Sequence, residues 1–220
     1  METIARSPWF LPVVAVCVIA EWWWRSRIAK RGYDGDGARA SLLVWLGNIV
    51  SVTASGIVLG GLFIAAYRFA PVHWPMQDWR TWALGFVAVE FAYYWFHRAS
   101  HTVRWLWASH AVHHTPEEMT LLSALRLSWT NLFSFGWLFY LPLVLIGFDP
   151  RLVFTVLAID LHYQFFLHTE AIGKLGPLEW VRNTPAHHRA HYASNADDLD
   201  CNYGGMGIVF DRLFGTQRTE

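Results

Sequence analysis

SLLVWLGNIVSVTASGIVLGGLFIAAY, residues 41–67, carries no charged side chain. The hydrocarbon core of a bilayer needs about 20 mostly apolar residues of helix, so this run alone is long enough to cross one. It decides the fold class, an all-α integral membrane helical bundle. Four further stretches have the same character. Residues 8–24 are apolar apart from Glu21 near their end, and residues 127–148 carry no charge. Residues 79–96 hold Arg80 at the start and Glu90 inside, and residues 152–167 hold Asp160 and His162. Five spans are expected, the third and fifth short enough to need tilt or a re-entrant turn. Buried helices of a soluble protein are the alternative, which uncharged runs ending in Trp and Tyr oppose.

The composition agrees. Of 220 residues 54% are hydrophobic, too apolar for an ordinary soluble domain, and the length fits one domain. Net charge is zero, which gives no basic footprint for nucleic acid. Cys17 and Cys201 are far apart and form no CxxC pair, so no disulfide framework or thiolate site is read. No small-x-small cleavage site follows the first run; WWWRSR does, which reads as an interfacial anchor on a retained span.

Basic residues orient the chain. Arg25, Arg27, Lys30, Arg31 and Arg39 follow the first run while only Arg6 precedes it, placing the N-terminus outside and residues 25–40 in the cytoplasm. Threading five spans onward puts thirteen of the 17 Lys and Arg residues on the cytoplasmic side. A bacterial inner membrane is the expected setting. The same threading, derived without the histidines, brings nearly all of them to that face. His97 and His101 emerge from the third span, followed by His110, His113 and His114. His168 emerges from the fifth, followed by His187, His188 and His191. A cytoplasmic helical cap carrying the clusters is the architecture this implies. Only His73 falls on the far side.

The spacing points to metal. His97 and His101 lie four apart on one helical face, a stripe that Glu90 and Tyr94 continue into the membrane. Glu90 is expected to orient an imidazole, directly or through Tyr94, because a carboxylate inside a span needs a partner. The HAVHH run can present His110, His113 and His114 at one point of a helix, and HRAH repeats the pair with His188 and His191. Imidazole suits zinc, iron, copper and nickel, and this many exceeds the four ligands of a structural zinc. Two neighbouring metals would use them. His73 and His162 are read as structural. Redox-active metals would activate dioxygen, whereas zinc would activate water for hydrolysis, and spacing does not choose between these.

The stretches EFAYYWFHRASH, WASHAVHHTPEEMTLLSALRLSW, YQFFLHTE, NTPAHHRAHYASN and DCNYGGMGIVFDRLFGT together resemble the fatty acid hydroxylase/sterol desaturase superfamily of membrane di-iron oxygenases. Within it they are most similar to the alkylglycerol monooxygenase-like branch and to bacterial members. The resemblance divides a single membrane domain into N-terminal spans, 1–84, and a hydroxylase-like region, 85–216. It implies two iron ions, dioxygen as co-substrate, and hydroxylation or desaturation of a sterol, fatty acyl, carotenoid or ether lipid. It also implies metal-ligand roles for His97, His101, His110, His113, His114, His168, His188 and His191. His187 matches a recurrent extra histidine, and Gln164 stands where some members have another, so it is expected to face the metals. Asn202, Tyr203, Gly204 and Gly205 match a C-terminal NYGG turn, expected to pack the last helix.

One position departs from the pattern. Tyr192 stands where the family has a final histidine. The phenol could ligate, His187 or a solvent molecule could fill the place and leave activity intact, or one metal could bind weakly and activity be reduced or lost. No haem, flavin, nicotinamide or ferredoxin motif is seen and the chain ends soon after the match, so electrons are expected from a separate donor protein. Three rivals remain at this point: a zinc-dependent membrane hydrolase, a metal or electron carrier, and an impaired family member acting as a binding module. A carrier would need ligands along the spans, where only Glu90, Asp160 and His162 lie.

Overall fold

A computed structural model gives the structure and describes residues 10–195 and 199–219. These residues form α1 (Phe10–Trp23), α2 (Gly35–Tyr67), α3 (Trp79–Thr102), α4 (Arg104–His110), α5 (Asn131–Ser134), α6 (Leu141–Leu145), α7 (Pro150–Phe165), α8 (Pro185–His191) and α9 (Val209–Phe214). Among the described residues there is no β-strand, and one isolated antiparallel bridge joins Arg182 to Gly207. The long helices start where the sequence supplies an acceptor for free backbone amides. Asp34 accepts from the amides of Asp36 and Gly37 ahead of α2, Asp78 from Arg80 ahead of α3, and Asp149 from Arg151 ahead of α7.

The helix α2 is built inside out. Its buried positions are Ser41, Asn48, Ser55 and Phe63. Leu43, Val50, Ile57 and Ile64, spaced seven apart, line the opposite side and stay exposed, Ile57 by 75%. A soluble helix does the reverse. Small and polar residues face the protein because they permit close approach and hydrogen bonding, as in helices packed within a bilayer. Among the described residues α2 is the one helix both long and apolar enough to cross a membrane by length and composition.

The expected fourth span is not one helix. Residues 127–148 break into α5, a 3₁₀ turn at Gly136–Phe139 and α6. Phe135 adopts a left-handed φ of 61°, and Pro142 at the start of α6 cannot continue a preceding helix. The broken segment still travels along α2. At one end the Asn48 amide donates to the carbonyls of Leu127 and Ser128, and Ser51 donates to that of Trp129. At the other end the Trp74 amide and indole donate to the carbonyls of Gly147 and Ile146.

The sequence expectation for WWWRSR also needs correction at Arg25. Trp22 and Trp23 are exposed, but Arg25 is only 2% exposed and lies inside a π-helical turn at Trp24–Ile28 that extends α1. One face of α1, Val14, Cys17 and Val18, packs on Leu121, Ala124 and Phe165.

The main core joins the far end of α2 to α3, α6 and α7 through Phe63, Val89, Tyr93, Val144, Leu152 and Val153. Leu152 fills the notch over Gly85, where any side chain would collide with it. Leu152→Ala is expected to cost about 2–5 kcal/mol of stability, seen as a lower unfolding midpoint in detergent. An unchanged midpoint would mean that this contact is loosely packed.

Candidate metal centre

The ends of α3 and α7 and the short helices α4 and α8 meet near the start of α2. Arg126 links them to it: its guanidinium donates to the Ser41 hydroxyl and the Gly37 carbonyl, while its own carbonyl faces His113 Nδ1. Eight histidines converge there in two groups. His97, His101, His110, His114 and His191 form one, and His113, His168 and His188 the other, with the candidate ligand atoms of each group all within 4.8 Å of one another. The groups adjoin, with ring centroids 5.6 Å apart both for His113–His114 and for His188–His191.

The two similar runs are therefore divided rather than focused. The expected single meeting point of His110, His113 and His114 does not form, because α4 ends at His110 and the chain turns. His110 and His114 go to the five-histidine group and His113 to the three-histidine group. On α8, His191 goes to the first and His188 to the second. Tyr192 follows His188, with its hydroxyl 3.2 Å from His168 Nε2 and its ring stacked on His114 at 4.3 Å.

Backbone carbonyls set the imidazole tautomers. His97 Nδ1 donates to the carbonyl of Tyr203 at 3.0 Å, His191 Nδ1 to Cys201 at 2.7 Å, His168 Nδ1 to Gln164 at 2.8 Å and His113 Nδ1 to Arg126 at 3.3 Å. A carbonyl oxygen only accepts, so each Nδ1 carries the proton and each Nε2 presents a lone pair. His168 Nε2 and His113 Nε2 then face each other at 3.2 Å, lone pair to lone pair. His97, His101 and His191 each have a buried Nε2 with no hydrogen-bond partner. Burying polar atoms this way is costly unless something electron-poor lies between them. Metal–imidazole bonds of about 2.0–2.1 Å put neighbouring ligand nitrogens about 3 Å apart and opposed ones about 4 Å apart, which these spacings fit.

The orienting residues are not those expected. Glu90 Oε2 accepts from the Gly207 amide, and the Tyr94 hydroxyl pairs with Thr216 and accepts from Arg98; neither orients an imidazole. Gln164 does not turn its side chain to the cluster. Its amide oxygen accepts from Tyr93 and its amide nitrogen donates to Asp160, while its carbonyl serves His168. His187 is buried beside Thr184 and Gln217 and belongs to neither group. His73 Nε2 lies 3.0 Å from the Tyr67 carbonyl, and His162 contacts the Ala158 carbonyl one turn back.

The NYGG turn does more than pack the last helix, since it supplies the Tyr203 carbonyl. Asp211, buried on α9, accepts from the amides of Tyr203 and Gly204 and from the Thr216 hydroxyl. Asn202 donates to the carbonyls of His187 and Arg218. A side chain at Gly204 would strike the Gly207 carbonyl, and one at Gly205 the Asp160 carboxyl, so the two glycines allow the close approach. Sequence reasoning missed Asp211; its place seven residues beyond Gly204 was the available signal.

With the architecture a helical bundle and the site a buried pair of histidine groups, comparison places the chain. The fatty acid hydroxylase family model matches residues 82–216, and the chain belongs to that family. Among similar curated proteins, alkylglycerol monooxygenase of Xenopus tropicalis is 36% identical over 94% of this chain and 46% of its own length. Human alkylglycerol monooxygenase is 45% identical over 70% of this chain and 34% of its own. Ornithine lipid hydroxylase OlsE of Rhizobium tropici is 30% identical over 68% of this chain and 44% of its own. The chain thus spans less than half the length of each of these relatives. No solved structure matches it.

Burial, reinforced by neighbouring imidazoles at His113, holds His113 and His191 down at about 4 against an ordinary value near 6.5. Both are neutral at pH 7. Since the folded values lie below the unfolded one, the stability they carry is present above about pH 6.5 and lost as pH falls through about 4. Metal-stripped protein should therefore show a falling unfolding midpoint between pH 7 and 4. A flat response there would contradict the neutral, buried assignment.

Proposed function

We propose that the chain is a membrane-bound oxidoreductase that hydroxylates a lipid with dioxygen, using two iron ions held by the two histidine groups. The observation that carries this reading is the convergence of eight histidines in two adjoining groups, three of them with a buried Nε2 that has no hydrogen-bond partner. The five-histidine group would hold one iron. His113, His168 and His188 would hold the other, with the Tyr192 hydroxyl as an oxygen donor. The Tyr192 hydroxyl donates its proton to the His113 carbonyl, which leaves an oxygen lone pair beside His168 Nε2.

When bound, the irons supply reductive activation of dioxygen for attack on a C–H bond. Overall, the lipid C–H, dioxygen, two electrons and two protons become an alcohol and water, with the electrons coming from a separate donor protein. The residues of the chain hold geometry. Carbonyls of Tyr203, Cys201, Gln164 and Arg126 keep each Nδ1 protonated, and burial of His97, His168, His188 and His191 excludes water. The histidines act as ligands rather than as acids or bases. No carboxylate or thiolate belongs to either group among the described residues, and because an all-imidazole donor set suits iron and zinc alike, it is membership of the fatty acid hydroxylase family that favours redox iron.

In this reading α2 faces lipid along Leu43, Val50, Ile57 and Ile64. The chain is multi-pass, α5 to α6 forming a broken crossing, with the N-terminus outside and the site on the cytoplasmic face. The N-terminal spans, 1–84, and the hydroxylase-like region, 85–216, form one membrane domain. The relatives named for alkylglycerol and ornithine lipid oxidation favour an amphipathic lipid substrate and hydroxylation over desaturation.

Protein purified from iron-supplied cells should hold two irons per chain. Tyr192→Phe, which removes only the oxygen, should weaken one of them about 10–100-fold, and Tyr192→His should keep both. Two tightly held irons in Tyr192→Phe would make the hydroxyl a spectator, and zinc alone in the natural protein would overturn the oxygenase reading. With a reductant and donor supplied, lipid-dependent oxygen uptake is the matching activity.

A further inference from the structure

The N-terminal helix touches the ligand-bearing segments through two buried charged residues outside the matched region, Glu21 and Arg25. They lie one turn apart on the face that also carries Val14, Cys17 and Val18. Arg25 is 2% exposed and Glu21 4%. Arg25 Nη2 donates to Glu118 at 2.6 Å and Nη1 to Glu170 at 2.9 Å, while its Nε donates to the Gly32 carbonyl. Arg31 reaches the same Glu170 oxygen at 2.9 Å. Glu21 accepts from the Leu121 amide at 2.8 Å and from the Thr169 hydroxyl at 2.5 Å.

The partners bracket the metal centre in sequence. Thr169 and Glu170 directly follow His168, and Glu118 and Leu121 lie on the segment that leaves His113 and His114. A third tie comes from α8, where Arg189 donates to the Thr169 and Ile172 carbonyls next to its own ligand helix. The five-histidine group draws His97 and His101 from the long helix α3, whereas His168 and His113 both sit where a helix has just ended. The three-histidine group thus depends most on its loops being held from outside.

We infer that Glu21 and Arg25 are positioning residues of the three-histidine group, a clamp by which the N-terminal helix fixes the loop after His168 against the loop after His114. The inference rests on the two-metal reading above. The clamp acts through the loops; neither side chain touches the metal positions. A buried arginine with two carboxylates and a buried carboxylate with two donors restrain both loops at once, and such outer partners commonly change metal affinity by about 10–100-fold.

The test is iron(II) titration of metal-stripped full-length protein in detergent under anaerobic conditions, with bound iron counted and helical content followed by circular dichroism. Arg25→Met should bind the first iron like the natural protein and the second about 10–100-fold more weakly, with helical content preserved. Glu170→Gln, a milder change, should weaken the same iron, and Arg25→Lys should restore much of the loss. Unchanged binding of both irons in Arg25→Met and Glu170→Gln would overturn the clamp alone. Joint loss of both irons and of helical content in both variants would also overturn it, since that is the signature of a purely structural role. A natural protein that does not take up two irons would overturn the two-metal reading, and the clamp with it.

Discussion

Lone pairs facing lone pairs underlie the architecture. His97, His113, His168 and His191 each spend their one ring N–H on a backbone carbonyl, which commits the other nitrogen to the interior. No protein donor meets Nε2 of His97, His101 or His191. The fold thus holds an arrangement that costs free energy in the absence of a cation and is favourable with one. Helix ends are suited to this, because free carbonyls and sharp changes of direction occur there.

The rest of the molecule positions those ends. Antiparallel packing brings the start of α2 to the ends of α3 and α7, and an apolar core at the opposite end keeps the three together. The polar face of α2 holds Arg126 and the broken segment after it, while its apolar face is left outward. The turn that follows α4 sends His113 to one group and His114 to the other, and α8 likewise divides His188 from His191, so neither group forms without both segments. Asp211 and Asn202 then lock the C-terminal turn whose carbonyl orients His97. Two neighbouring sites result, chemically unequal: five nitrogens in one, three nitrogens and a nearby phenol in the other.

Much of this was legible in the sequence. The charge-free run at 41–67 matches the long apolar helix α2, and the histidines singled out along the chain do come together in two groups able to hold metal. Hydropathy misread residues 127–148 because it sums side-chain transfer energies and ignores backbone geometry, although Gly136 and Pro142 marked the breaks. Helical periodicity misplaced His113 because it assumed that α4 continues past His110. Glu90 was read as orienting an imidazole because a carboxylate inside a span needs a partner, and Gln164 as facing the metals because some members of the family have a histidine there; their partners are instead the Gly207 amide, Tyr93 and Asp160. The carbonyls that orient the histidines were invisible, since every residue has one. Arg25 was taken for an interfacial anchor because its carboxylate partners lie 93 and 145 residues away.

X-ray absorption at the iron edge, on protein loaded with iron(II), tests the central claim most directly. The account predicts a first shell dominated by nitrogen at about 2.0–2.2 Å, with the outer-shell scattering of several imidazoles per iron and no sulfur. A shell of solvent oxygens without imidazole scattering, or no bound iron at all, would contradict it.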